Sequence, residues 1–225
     1  EQMDELPDAE FKAVLADPPY SSGSRSESEK MRGGYSGRRE LEPGEWFDSD
    51  SMTVDTYQWF LRECALQWNR LLEMGGSALV FTDWRMMNYV RQAVESVGFQ
   101  TRNCVVWDKT HFGMGNGYRH QYELILHFSK GDFDAERMDT GNVIQHKRPD
   151  EDLHPTQKPV PLLVDLLGVV AADGDRVLDP FAGSGSTGVA AIRSGMKFTG
   201  VERDPAHAET AEKRLSRATE QVTFD

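Results

Sequence analysis

Asp17-Pro18-Pro19-Tyr20 places a carboxylate, two backbone units without N–H groups and an aromatic ring directly behind the apolar run Phe11–Ala16. Proline cannot donate to a sheet ladder, so a strand here must stop and leave the Asp17 carboxylate and the prolyl carbonyls at its end. A second stretch, VLDPFAGSGSTGVAAIRSGMKFTGVERD, carries Gly183, Gly185 and Gly188 in a G-x-G-x-x-G pattern, with Glu202 at the end of the following apolar run. Glycines between a strand and a helix let a ligand approach the backbone, and an acid one strand later suits the hydroxyls of a ribose. Taken alone, this pattern fits a nicotinamide dinucleotide or S-adenosylmethionine. Asp179, at the strand end before the glycines, favours a ligand with an ammonium group, because a carboxylate repels a pyrophosphate.

These residues need strands to hold them, and the pattern supplies them. Apolar runs at 11–16, 75–83, 99–109, 122–131, 175–181 and 197–204 read as strands. Helical spacing covers 57–73 (Trp59, Phe60, Ala65, Leu66, Leu71, Leu72), 84–97 up to Gly98, 160–172, a segment after Gly185, and 206–218. Strands alternating with helices predict an α/β sandwich around a mostly parallel sheet. Residues 21–52 are rich in Ser, Gly and Arg without apolar period and read as a flexible loop behind the catalytic motif. Residues 130–153 read as a short irregular insertion.

At 225 residues, the chain fits a single domain. Its 37 acids against 25 Lys and Arg give a net charge of −12, which weakens the expectation of a nucleic-acid partner. Distribution matters more than the total, and residues 25–39 hold five bases against two acids. No apolar stretch is long enough to span a membrane. Cys64 and Cys104 sit in apolar patterns and read as reduced core thiols of a cytoplasmic protein. The six histidines lack zinc-ligand spacing, so no metal is expected.

The motifs together resemble a known family, the DNA amino-methyltransferases that use S-adenosylmethionine. DPPY at 17–20 and DPFAGSGST at 179–187 look like its catalytic and cofactor motifs, and HPTQKP at 154–159 like the segment that precedes the cofactor loop in the beta-type members. Catalytic motif first and cofactor motif last is the circularly permuted order of that group. The resemblance implies a Rossmann-like methyltransferase sandwich with one antiparallel strand, S-adenosylmethionine as cofactor, double-stranded DNA as substrate and a homodimer. It departs from the family in two places. No Gly-Asp strand precedes the catalytic motif, which predicts that such a strand is missing or replaced. Residues 130–153 leave room only for a short target-recognition insertion, which implies a short site.

The resemblance assigns catalysis to Asp17, Pro18, Pro19 and Tyr20. An exocyclic amine is a poor nucleophile because its lone pair is delocalised; acceptors at Asp17 and the Pro18 carbonyl favour its pyramidal form, while Tyr20 stacks on the base. The methyl passes in one displacement, so neither cysteine is needed, and the base must leave the duplex. Cofactor contacts are expected from Asp17, Thr156, Lys158, Asp179, Phe181, Ala182, Gly183, Gly185, Ser186, Thr187, Glu202 and Arg203, with His154 in the loop architecture. Lys158 reads as pocket-lining rather than as a base. Arg25, Arg32, Arg38, Arg39, Lys109, Arg119, Lys147 and Arg148 are the phosphate-contact candidates. Adenine N6 is favoured over cytosine N4, because cytosine-directed relatives more often have serine in place of Asp17. RNA or protein-amide substrates fit less well, since such relatives have asparagine before Pro-Pro. A NAD-linked oxidoreductase would leave DPPY and Asp179 idle, and a non-catalytic DNA-binding subunit would not need either motif intact.

Overall fold

The computed structural model describes residues 2–19, 52–114, 116–148 and 157–223. Its strands are β1 (Phe11–Ala16), β2 (Leu72–Thr82), β3 (Gln100–Asp108), β4 (Tyr122–Ser129), β5 (Val143–Gln145), β6 (Arg176–Asp179) and β7 (Lys197–Gly200). The helices are α1 (Val54–Leu71), α2 (Met87–Glu95), α3 (Val160–Val170), α4 (Ser186–Arg193) and α5 (Pro205–Thr223). The strands form one sheet in the order β5-β3-β4-β2-β1-β6-β7. Only β4 runs against its neighbours; every other pairing is parallel. The expected sandwich with one antiparallel strand is therefore what the chain forms.

Both sheet faces are covered, which explains why the strands read as nearly continuous apolar runs. Along β1 and β2, Val14, Ala16, Ala78 and Val80 enter the layer built with Tyr57, Leu61 and Trp68 of α1 and Val90 and Val94 of α2. Their neighbours Ala13, Leu15, Leu79 and Phe81 point the other way, into Leu162, Leu166 and Val170 of α3 and Ala190 and Ala191 of α4. Alternation by two thus assigns each side chain to one layer.

Three of the departures from the expectation have a visible cause. Helix α1 stops at Leu71, and Leu72 already belongs to β2, because Leu72 is drawn fully into the core beside β1. The ammonium of Lys130 secures this exit, donating to the carbonyls of Asn69 and Leu72 at 2.6 and 2.7 Å. Helix α2 begins at Met87 rather than at 84, since the Asp83 carboxylate accepts from the N–H groups of Arg85 and Met86 and turns the chain first. The polar segment after β4 contributes β5, a three-residue strand in which only Ile144 is buried. One buried residue in three leaves no period to read.

The pairing directions bring the carboxyl ends of β1, β2, β3, β5, β6 and β7, and the amino end of β4, to one edge of the molecule. Among the described residues no helix is long and apolar enough to cross a membrane, and no group of His, Cys, Asp and Glu could hold a metal ion.

Candidate active site

Strand β1 pairs with β2 on one side and with β6 on the other, and β6 leads on to β7 away from β1. In an open α/β sheet a reversal of this kind opens a crevice at the carboxyl ends of the two central strands. Asp17 leaves the end of β1, and Asp179 closes β6. The two sequence motifs, 162 residues apart, are adjacent walls of that crevice.

The β6 wall is built almost wholly from local backbone bonds. Asp179 is buried; its carboxylate accepts from the Phe181 N–H at 2.9 Å and from the Thr187 hydroxyl. Burial, helped by the nearby Asp17 and Glu202 charges, outweighs these donors and raises its pKa to about 7. The Glu202 carboxylate accepts from the N–H groups of Gly183 at 2.7 Å and Asp204 at 2.8 Å, tying the glycine loop to the end of β7. Arg214 of α5 clamps the same loop, donating to the carbonyl and hydroxyl of Ser184. Phe60 of α1 tilts against Phe181, with ring centroids 6.1 Å apart.

The glycines divide by role. A Cβ on Gly188 would lie 2.4 Å from Leu215 Cδ2, and one on Gly185 would lie 3.0 Å from Ala211 Cβ, so both make room for α5. Gly183, at φ +50°, has nothing nearer than 3.9 Å to such a Cβ. Only there is the backbone laid open for a ligand. An open loop, a buried carboxylate able to face an ammonium, and a carboxylate at the end of β7 fit the adenosine-bearing sulfonium cation better than a dinucleotide.

The β1 wall is built from charges brought together over long distances. Pro18 is buried, while Asp17 and Pro19 are half-buried. The Lys158 ammonium lies 2.7 Å from Asp17 Oδ2 and 3.1 Å from Glu123 Oε2, above the Phe81 ring at 4.8 Å. Lys109 lies 2.5 Å from Glu123 Oε1. Burial works against the Lys158 ammonium, but Asp17 and Glu123 overrule it and raise its pKa. Burial likewise pushes Glu123 up, and the two lysines together hold it below the ordinary carboxylate range. Tyr57 of α1 is fully buried beneath the site; burial, then Asp17 and Asp83, raise its hydroxyl pKa.

The structure therefore brings together Asp17, Pro18, Pro19, Lys158, Asp179, Phe181, Ala182, Gly183, Ser186, Thr187 and Glu202. Arg203 follows Glu202 and is exposed. Gly185 faces α5. Lys109, expected to meet phosphate, is instead 7% exposed and turned onto Glu123, because its chain leaves β3 beside that acid. Arg119 is exposed and stacks on Phe112, with 3.7 Å to the ring centroid; Lys147 and Arg148 are exposed beyond β5 at the same edge. Tyr20, Arg25, Arg32, Arg38, Arg39, His154 and Thr156, with most of the expected loop at 21–52, lie outside the described residues. Both cysteines are free; burial pushes the Cys64 thiol up to about 12 and also raises that of Cys104, which suits neither as a nucleophile. The sequence reading missed Glu123 and Arg214. An acid one residue inside an apolar strand is the only signal Glu123 offers.

A DNA methylase family model of the N6/N4 amino type matches residues 11–213. The chain belongs to the N6/N4 DNA methylase family. As a DNA methylase it is an enzyme whose methyl donor is S-adenosylmethionine, and the oxidoreductase reading falls away. The type II methyltransferase M2.DpnII of Streptococcus pneumoniae is 30% identical over 230 residues, covering 92% of this chain and 83% of the relative. Among solved structures, the M1.HpyAVI–SAM complex superposes with a TM-score of 0.67 at 22% identity, covering 95% of this chain and 91% of that one. The cytosine-N4-specific PvuII DNA methyltransferase gives 0.73 at 15% identity, covering 98% and 88%. At these identities the likeness is one of fold.

Proposed function

We propose that this methylase acts on the exocyclic 6-amino group of adenine, in a base rotated out of duplex DNA at a short recognition site. When bound, S-adenosylmethionine supplies an electrophilic methyl group on its sulfonium. Asp179, Gly183 and Glu202 hold the cofactor, with Ser186, Thr187 and the Phe181 ring shaping its wall.

The observation that carries the reading is a half-buried Asp17, followed by the buried Pro18, at the carboxyl end of β1 beside the glycine loop. Asp17 accepts one N–H of the target amine and the Pro18 carbonyl accepts the other. Two acceptors set at the angles of a pyramidal nitrogen direct its lone pair toward the methyl group and away from the ring. Proline at 18 fixes φ and offers no competing donor, so the carbonyl is held in place before the base arrives. Tyr20 stacks on the base. Exposed Arg119, Lys147 and Arg148, with the arginines of 25–39, meet phosphates. We also expect a homodimer, from the family resemblance.

Adenine is preferred to cytosine because an aspartate stands at position 17. The test is transfer of an isotopically labelled methyl to unmethylated duplex DNA, followed by digestion to nucleosides and mass measurement. Label in N6-methyladenosine is the expected result. Label in N4-methylcytidine would keep the site and change the base.

A further inference from the structure

Four charged side chains from four separate segments alternate in sign beneath the catalytic motif. Asp17 follows β1, Lys158 precedes α3, Glu123 lies in β4, and Lys109 follows β3. The contacts run 2.7 Å, 3.1 Å and 2.5 Å along the series. Lys109 and Lys158 are 7% and 12% exposed at the side chain, so water does little to screen them. Glu123 Oε2 is itself buried and faces the Lys158 ammonium at 3.1 Å. A carboxylate drawn this far out of water is costly unless its charge is closely paired, and here both lysines pair it.

We propose that Glu123 is a positioning residue for methyl transfer, holding the Lys158 ammonium so that Lys158 fixes the Asp17 carboxylate without taking it over. This rests on the reading of Asp17 as an acceptor of the target amine. Filling the crevice with base and cofactor strips water from Asp17, and a carboxylate at the end of a strand then needs a fixed counter-charge. A lysine with Asp17 as its sole anion would neutralise the very oxygen atoms that must receive an amine N–H. Shared between two carboxylates, the same lysine orients Asp17 and leaves it an effective acceptor. Lys109 holds Glu123 from its other oxygen, so the acid cannot swing away. The Lys158 ammonium faces Asp17 after β1 and Glu123 of β4, with Phe81 of β2 below; Lys109 adds positive charge at Glu123, and Arg148 stands near enough to Lys109 to act on its charge.

The test compares wild type, Glu123→Gln, Glu123→Asp, Lys158→Met and the Glu123→Gln/Lys158→Met double variant. Each is measured by single-turnover methyl transfer to duplex DNA across pH, by calorimetric S-adenosylmethionine affinity and by melting temperature. Glu123→Gln is expected to lose on the order of 10²-fold in the transfer rate constant. Its cofactor affinity should be nearly unchanged. Its Lys158, left with one carboxylate against burial, gives up its proton sooner, so the alkaline limb of the rate profile moves down by about one pH unit or more. Glu123→Asp should recover part of the rate, and the double variant should be no slower than the slower single one.

An unchanged Glu123→Gln rate and profile would overturn the proposal. So would a loss that is equal at every pH and tracks a fall in melting temperature and cofactor affinity. Should Glu123→Gln fail to fold, Glu123→Asp and Lys158→Met decide the matter, with full activity in both overturning it. Absence of label in adenine with the wild type would instead break the substrate reading beneath it.

Discussion

The two walls of the crevice are built by different physics. The β6 wall is made of residues 179–204, held by backbone N–H groups donating to Asp179 and Glu202. The β1 wall is made of Asp17, Lys109, Glu123 and Lys158, which meet only because the ends of β1 and β3, the start of β4 and the lead into α3 lie at one edge. A ligand-holding surface can be encoded by a short stretch of chain, because its groups are backbone amides and neighbours in sequence. The charge arrangement of the β1 wall is not encoded that way, since its four members lie on four segments that only the sheet brings together. The difference predicts that damage to the β1 wall costs rate, while damage to the β6 wall costs affinity or stability.

The largest separation should come from Asp17→Ala. Methyl transfer should fall by about 10³-fold with calorimetric cofactor affinity preserved. Retained turnover would remove Asp17 from the chemistry and erase the contrast. On the other wall, Gly188→Ala forces a methyl against Leu215 and Phe198, and overpacking of this kind costs about 1–3 kcal/mol, read as a lower melting temperature. Gly183→Ala meets no such obstruction and pays only for its left-handed φ, about 1 kcal/mol, while cofactor affinity falls. Equal melting temperatures for the two variants would show that the glycines are not divided as described.

The smallest effect is the most discriminating. Because the Asp179 pKa stands at about 7, cofactor affinity should rise with pH through neutrality as the carboxylate becomes able to pair with an ammonium. Asp179→Asn should bind more weakly and lose that dependence in calorimetry at pH 6 and pH 8. The sign for the ligand-free protein is the reverse. A carboxyl whose folded pKa is raised contributes stability at low pH that is lost as pH climbs from the ordinary carboxylate range to about 7. Asp179→Asn should therefore gain in melting temperature over wild type at pH 8 and not at pH 4.

Much of this was legible from the chain. Proline at 18 and 19 marks the end of β1, period-two apolar runs mark the strands, and the DPPY, HPTQKP and glycine-loop motifs carry the family resemblance. Other features gave no local sign. Strand β5 has one buried residue, too few for a period. The inward turn of Lys109 depends on an acid 14 positions later in a neighbouring antiparallel strand, and a lysine after a strand otherwise reads as a solvated charge.

The sequence by itself determined every element but β5, their order, and the glycine loop with its two carboxylates, because backbone conformation and turn-forming residues depend on neighbours along the chain. Tertiary structure alone decided which two glycines serve α5, which lysine meets Asp17 and where Glu123 lies. Those outcomes are set by strand direction and register, which juxtapose charges separated by as many as 141 positions, and no pattern within a single segment records them.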